Sequence, residues 1–364
     1  MEYRYARWDP ERLARLLGRS SLMKLFNYLL LQANGDVDDA LRYLEFLQSR
    51  GMIPADWDLG TFKKRLEEEG LIRKDPRGHR TLTARGEQRL RADSLERIFG
   101  GLRPGGRSAH AIPHAGGGTT EPLPERRPYQ FGDDIGHIDF QDSLKNSIRR
   151  DSSLELNEDD LSVCETETGT SCATVLLLDV SHSMVLYGED RITPAKQVAL
   201  ALVELITRQY SRDSLRVVLF GDIAQEVRIA DLPYVGAGPY HTNTRAGLQL
   251  GRQLLQREKH PNKQIVMITD GKPSVIDRPG GRVYRNPVGL DPVIVNRTLD
   301  EAVVCRRKRI PITTFMITSD PYLREFVERL TELNRGRAYF TSPDRLGEFV
   351  LWDFMSNRRG RLKR

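Results

Sequence analysis

The sequence has few cysteines and no long apolar run, and each absence narrows the class of protein. Its 364 residues include only three cysteines, without the spacing of metal ligands: Cys164, Cys172 and Cys305. Such a set argues against a disulfide framework or a zinc module and indicates a reducing compartment. No apolar stretch approaches the roughly 20 residues that span a bilayer, and the first residues lack the apolar segment of a signal peptide. We therefore expect a cytoplasmic protein.

The motifs of common enzyme classes are also missing. The chain contains no G-x-x-x-x-G-K-[ST] sequence, which would form a phosphate-binding loop in an ATPase. Ser183 follows a histidine, His182, but it lacks the glycine-flanked turn that exposes the nucleophile of many hydrolases. The seven histidines show no motif spacing. We predict no catalytic residue and no enzymatic activity.

The charge balance is mildly basic. The chain has 56 basic and 50 acidic residues, a net charge of +6 and an isoelectric point near 9.2. Part of the excess lies in the last eight residues, 357–364, which form a basic tail. Basic surfaces bind nucleic acid, so a DNA-associated factor stays open as an alternative.

Composition divides the chain into four segments. We predict a smaller helical domain at 1–100, a linker with a connecting helix at 101–150, an α/β domain at 151–356 and the tail at 357–364. In the first segment, helices precede a small β-hairpin between residues 71 and 82, and a last helix follows. This order is similar to that of a winged-helix module. Glycine and proline are frequent from 101 to about 130, so we predict no regular element there.

The third segment alternates apolar runs with amphipathic stretches. The runs at 161–165 and 173–178 predict two neighbouring strands. Later runs, at 215–220, 264–269 and 312–317, are separated from one another by predicted helices. Continuous apolar strands joined by helices are typical of the α/β class. We predict a doubly wound, mostly parallel sheet with helices on both faces.

Three oxygen-bearing side chains follow the run at 173–178. They are Asp179, Ser181 and Ser183, in a D-x-S-x-S sequence. Oxygen ligands suit Mg²⁺, Mn²⁺ or Ca²⁺ and suit zinc and copper poorly. Ligands of open α/β sheets bind where strands end at their carboxyl side. The string therefore predicts part of a divalent-cation site, although each such residue alone is often only a helix cap.

Two later loops complete a pattern that resembles the von Willebrand factor A (VWA) family. A T-x-T sequence begins at Thr242, with Gly247 five residues on, and Asp270 follows the run at 264–269. In that family the three loops form a metal-ion-dependent adhesion site (MIDAS). The resemblance covers about residues 160–345 and implies five metal-site residues, namely Asp179, Ser181, Ser183, Thr242 and Asp270. Thr244 is expected to cap the following helix, and His182 is expected at the rim of the site.

The resemblance implies a function as well as a site. It implies Mg²⁺, with Mn²⁺ or Ca²⁺ possible, whose open coordination position accepts an Asp or Glu of a partner protein. Cytoplasmic bacterial proteins of similar architecture work with MoxR-type AAA+ ATPases, which implies a non-enzymatic adaptor in protein remodelling or complex maturation. A magnesium-chelatase D-like accessory subunit is the other alternative.

One segment beside this site is unusual. Residues 272–296 contain many glycines and prolines and form a long predicted loop. A lid that binds the partner and a mobile surface insertion are both compatible with the sequence.

Overall fold

The structure is a computed structural model. It describes the following residues: 22–53, 57–99, 121–129, 138–151, 156–167, 171–188, 190–210, 212–238, 240–278, 280, 282–286, 289–317 and 320–361. Of the predicted basic tail at 357–364, residues 362–364 lie outside them, and residues 357–361 belong to the last helix instead of a separate tail. In this part of the chain, no helix is long and apolar enough to cross a membrane.

Four helices and a hairpin form the described part of the N-terminal region, residues 22–53 and 57–99. The elements are α1 (Leu22–Gln32), α2 (Val37–Ser49), α3 (Leu59–Glu68), β1 (Ile72–Lys74), β2 (Arg80–Leu82) and α4 (Ala84–Phe99). Asp36 and Asp58 cap α2 and α3, because their side chains accept hydrogen bonds from the amides of Asp39 and Thr61. The predicted order of helices, hairpin and helix is observed.

A second compact unit lies within residues 110–171. It contains β3 (Glu121–Pro128), α5 (Phe140–Asp151) and β4 (Ser162–Glu167). The prediction that 161–165 and 173–178 are neighbouring strands is wrong, since β4 lies outside the central sheet and pairs with β3 in an antiparallel sheet of its own. The prediction of no regular element up to residue 130 is wrong for β3. Its prolines are accommodated because the strand is an edge strand whose register shifts between Pro122 and Arg126.

The central sheet has six described strands. They are β5 (Cys172–Asp179), β6 (Ser214–Phe220), β7 (Ala224–Val227), β8 (Asn262–Thr269), β11 (Ile312–Met316) and β12 (Arg337–Phe340). Their order is β12-β11-β8-β5-β6-β7, and only β7 runs antiparallel to its neighbour. The predicted doubly wound sheet is confirmed.

The helices of this region are α6 (Ile192–Gln209), α7 (Thr244–Arg257), α8 (Pro292–Arg307), α9 (Pro321–Asn334) and α10 (Leu346–Arg361). Side chains of β5 alternate between the two faces of the sheet, as strand geometry requires. Leu176 and Leu178 join a cluster with α6 and the N-terminal helices, whereas Val175 and Leu177 join a cluster with α7, α8 and α9. The N-terminal region therefore shares a hydrophobic core with one face of the sheet.

The segment 272–296 is not the predicted loop. It contains an antiparallel hairpin, β9 (Val275–Arg278) with β10 (Arg282–Arg285), and the start of α8. Val275 and Ile276 are buried, and the Tyr284 hydroxyl donates to Asp291, the N-cap residue of α8. The packing of β9 and this hydrogen bond give the segment a regular structure. A loop is predicted from the sequence because glycines and prolines are frequent there.

Candidate metal site

The candidate site lies at the point where the sheet changes winding direction. The chain leaves β5 through α6 to reach β6 on one side, and it leaves β8 through α8 to reach β11 on the other. The carboxyl ends of β5 and β8 therefore border a crevice, which is where ligands bind in open α/β sheets. Asp179 is the last residue of β5 and Asp270 directly follows β8.

The first loop is held by its own hydrogen bonds. The Ser181 amide donates to Asp179 Oδ1 at 2.9 Å, and the Ser181 and Ser183 hydroxyl oxygens are 3.0 Å apart. A 3-10 turn at His182–Gly188 follows. Asp179 and Ser181 are almost completely buried, with exposed fractions of 0% and 1%. Asp179 and Ser181 are thus shielded from bulk solvent, while Ser183 is half-buried.

Asp270 joins this loop from the neighbouring strand end. The Ser183 hydroxyl donates to Asp270 Oδ1 at 2.7 Å, and Arg191 donates through Nη1 to Asp270 Oδ2 at 2.5 Å. Thr269, one residue earlier, donates its hydroxyl to Asp179 Oδ2. Side chains from two strand ends therefore form one continuous hydrogen-bonded network.

Thr242 is positioned from the opposite side by Ser274. The Thr242 amide donates to Ser274 Oγ at 3.0 Å, and the Ser274 amide donates to the Thr242 carbonyl at 3.0 Å. This pair joins the loop before α7 to the segment that leads into β9. Thr242 is 4% exposed.

Three of these oxygens converge on one point beside Gly271. A methyl group built on Gly271 would lie 2.7 Å from Thr242 Oγ1, 2.9 Å from Ser183 Oγ and 3.2 Å from Asp179 Oδ2. The glycine thus leaves a small space bordered by oxygen atoms from two loops, the one after β5 and the one before α7. Two hydroxyls and a carboxylate are the ligand chemistry that a hard divalent cation requires, so the residues present fit such an ion.

The ionised forms of Asp179 and Asp270 are both disfavoured by burial. Burial, together with the neighbouring charge of Asp270, raises the pKa of Asp179 to about 7. Burial also raises the pKa of Asp270, against the lowering effect of the hydrogen bonds from Ser183 and Arg191. Two buried acidic groups side by side favour either a proton or a cation between them. A divalent cation would relieve this repulsion.

The five predicted metal-site residues lie together, but the helix cap was predicted one residue too late. The N-cap of α7 is Asn243, whose side chain accepts from the Ala246 amide. The expectation that Thr244 fills that role is wrong, since Thr244 is already the first helical residue. His182 is exposed, as expected for a rim residue.

Sequence reasoning missed Arg191, Thr269 and Gly271. Nothing in the local pattern marks Arg191, which begins a helix 79 residues before its partner Asp270. The glycine after Asp270 was visible, but its role depends on what surrounds it. Among the described residues, no group of three or more His, Cys, Asp or Glu side chains is arranged to hold a metal. The five candidate residues do not form such a group, because three of them are Ser or Thr, whose ligand atoms are hydroxyl oxygens.

Comparison with known proteins identifies two regions. The model of the "Rv0959-like protein, vWA domain" family matches residues 172–355, and the model of the "Rv0959-like protein, third domain" family matches residues 121–166. Two uncharacterized proteins, Rv0959 of Mycobacterium tuberculosis and Mb0984 of Mycobacterium bovis, are each 29% identical to this chain over 313 residues. The alignment covers 83% of this chain and 45% of each relative, so the chain spans less than half the length of the curated relatives it matches.

Solved structures with a similar fold include two VWA domains of other proteins. The vWF domain of the type V pili tip protein Mfa5 from Porphyromonas gingivalis has a TM-score of 0.41 and 13% identity, covering 52% of this chain and 96% of that one. The SpRpn10 VWA domain has a TM-score of 0.37 and 14% identity, covering 49% and 93%.

Proposed function

This chain belongs to the family of Rv0959-like proteins with a vWA domain, and from that membership we propose that it is a metal-dependent protein-binding adaptor. In this proposal a divalent cation, Mg²⁺ in the first place, binds beside Gly271 and accepts a carboxylate from a partner protein. The observation that carries it is the convergence of three side-chain oxygens on the Gly271 position. The proposal includes a cytoplasmic location and no catalytic activity.

The residues that would hold the cation are the five named from the sequence. Asp179, Ser183 and Thr242 supply the converging oxygens, while Ser181 and Asp270 are hydrogen-bonded to Ser183. Hydroxyl ligands are neutral, so a bound Mg²⁺ would keep attraction for a further anion. A Lewis-acidic cation with incomplete anionic coordination is the chemistry that recognises a carboxylate side chain.

The rim of the site carries groups suited to an acidic partner. His182 is exposed between two proposed ligands, and Tyr240 is 45% exposed two residues before Thr242. The His182 amide donates to the Tyr240 carbonyl at 3.0 Å, so the two rim residues are on adjacent loops. The imidazole of His182 and the hydroxyl of Tyr240 are hydrogen-bonding groups that suit an incoming carboxylate.

We expect Gly271→Ala to abolish divalent-cation binding while leaving the protein folded. The added methyl group occupies the space between Thr242, Ser183 and Asp179, and Gly271 has no positive φ that would strain an alanine. Isothermal titration of Mg²⁺ and Mn²⁺ into the wild type, Gly271→Ala and Asp179→Ala measures the effect. Asp300→Ala, which removes an exposed carboxylate on α8, is the control and should bind as the wild type does. Equal binding by all four proteins, or none by the wild type, contradicts the metal site.

The partner we propose is a MoxR-type AAA+ ATPase or a substrate that it remodels, with an Asp or Glu that reaches the metal. Affinity capture with the purified chain in Mg²⁺, in EDTA and with Asp179→Ala tests this proposal. We expect an AAA+ ATPase or its substrate to be retained in Mg²⁺ and lost in the other two conditions. A set of bound proteins that ignores both EDTA and Asp179→Ala contradicts metal-gated binding.

The N-terminal region favours a protein contact over DNA binding. Of the basic residues there, Lys63 pairs with Glu45, Lys74 with Glu67, and Arg80 with both Asp38 and Glu67. Cations that are already paired with carboxylates contribute little to phosphate binding, which depends on uncompensated positive charge.

A further inference from the structure

Arg191 places a permanent positive charge inside the candidate metal site. Its guanidinium donates to Asp270 Oδ2 at 2.5 Å, while the other oxygen of the same carboxylate accepts from Ser183. The Arg191 side chain is 13% exposed and that of Asp270 is 0% exposed. A fixed cation therefore reaches one of the two carboxylates from within the protein.

The backbone fixes this arginine beside the first metal loop. The Arg191 amide donates to the Met184 carbonyl at 3.0 Å, which ties the start of α6 to the 3-10 turn after Ser183. The neighbouring Asp190 accepts from the Thr193 amide at 3.0 Å and so caps the first turn of α6. The backbone of Arg191 and the side chain of Asp190 are therefore both held by hydrogen bonds. These contacts position the guanidinium of Arg191 beside Asp270.

The charge balance of the site changes because of this residue. Asp179 and Asp270 together carry two negative charges when ionised, which a divalent cation would neutralise fully. With Arg191 present the acidic pair and the arginine sum to one negative charge, so a bound divalent cation leaves a net charge of plus one. Like charges a few ångströms apart in a buried site repel strongly, because little water screens them.

We propose that Arg191 is a resident counter-cation of the metal site, which lowers its affinity for a divalent cation and leaves the loaded site positively charged towards an anionic ligand. This inference rests on the proposed metal-binding function and adds a residue that tunes it. In the absence of metal, Arg191 positions Asp270 through their ion pair. When the cation is bound, a carboxylate of the partner compensates the remaining positive charge, so the cation binds tightly only when the partner is present.

Replacing Arg191 with glutamine should tighten Mn²⁺ binding by at least about tenfold, because the repelling charge is removed. Arg191→Lys keeps the charge and should restore an affinity close to that of the wild type. Arg252→Gln is the matched control: Arg252 forms an equally short ion pair with Glu301, with 15% and 7% of the two side chains exposed, on α7 and α8. It should lose stability but bind Mn²⁺ as the wild type does.

Titration calorimetry with Mn²⁺ alone, and the thermal shift that Mn²⁺ produces, measure these affinities. Tighter binding by Arg191→Gln than by the wild type, reversed in Arg191→Lys, supports the proposal. Equal or weaker binding by a folded Arg191→Gln overturns this inference and leaves the metal site standing. Absence of binding in every variant overturns the proposed function and this inference with it.

A double variant keeps the test decisive if Arg191→Gln does not fold. Asp270→Asn alone leaves the arginine without its carboxylate, so Mn²⁺ binding should fall well below that of the wild type. Adding Arg191→Gln to Asp270→Asn removes the repelling charge and should recover part of the lost affinity. Equal affinities of the single and double variants overturn the proposal.

Discussion

Replacing Asp179 with asparagine should stabilise the metal-free protein by about 2 kcal/mol at neutral pH and abolish its stabilisation by Mg²⁺ or Mn²⁺. Asp179 is fully buried, its pKa is raised to about 7 by burial and by Asp270, and its side chain is hydrogen-bonded by Ser181 and Thr269. Asparagine keeps the shape and removes the charge. Sites that bind ligands commonly retain such destabilising groups.

Urea denaturation in EDTA and in MnCl₂ measures both effects. Asp353→Asn is the control, because Asp353 is also buried but forms an ion pair with Arg337 and accepts a hydrogen bond from Tyr339. That substitution should destabilise the protein, since it leaves the arginine without its carboxylate. A metal-free Asp179→Asn protein that is less stable than the wild type would contradict the electrostatic account of the site.

Replacing Lys196 with methionine should lower the free energy of unfolding by about 3 kcal/mol at pH 7. Lys196 is fully buried in α6, and its ammonium donates to the carbonyls of Leu31 and Val235 and to the side chain of Asn34. Methionine fills the space but leaves these acceptors without a donor. The lysine therefore links the turn after α1 to the segment before the metal loop that carries Thr242.

The cost of this substitution should also depend on pH. Burial lowers the pKa of Lys196 from 10.5 to about 7, although Asp190 acts in the opposite direction. Between about pH 7 and 10.5 the unfolded chain binds a proton that the folded protein does not, so the contribution of Lys196 to stability rises with pH in this window. The slope for one group is at most about 1.4 kcal/mol per pH unit, and the contribution levels off below about pH 7.

The difference between wild type and Lys196→Met, measured by urea denaturation at several pH values from 6 to 9.5, isolates this group. The control is Lys24→Met on α1, since the Lys24 side chain is 36% exposed and its ion pair with Glu96 lies at the surface. It should change stability by no more than about 1 kcal/mol. A difference for Lys196→Met that is small, or that does not grow above pH 7, would contradict the assignment.

Local sequence was sufficient for the first loop of the site and for the class of fold. A strand such as β5 is recognisable because its residues are mostly apolar, in keeping with the burial of all eight, and the polar string after it must then lie at the end of the strand. Thr242 and Asp270 were identified through a family resemblance, because the order of the three loops along the chain carried that information. Their juxtaposition with Ser183 is a property of the parallel sheet, whose strand ends meet at one edge.

Strand pairing was not determined locally. The residues of β4 have the pattern of a strand, and the partner nearest in sequence was β5. The actual partner is β3, whose prolines suggest a linker when it is considered alone. Whether a proline fits a strand depends on which backbone amides face a neighbour, and that is known only once the pairing is known.

The sequence by itself indicated which residues form the candidate metal site and the kind of sheet that presents them, because both depend on short patterns along the chain. Only the tertiary structure decided the charge of the site and its connection to the rest of the protein. Arg191 reaches Asp270 across 79 positions, and Lys196 reaches Leu31 across 165. Such contacts arise from the packing of α6 and its N-terminus against other elements. The local sequence around an arginine or a lysine does not show which distant residue its side chain will contact.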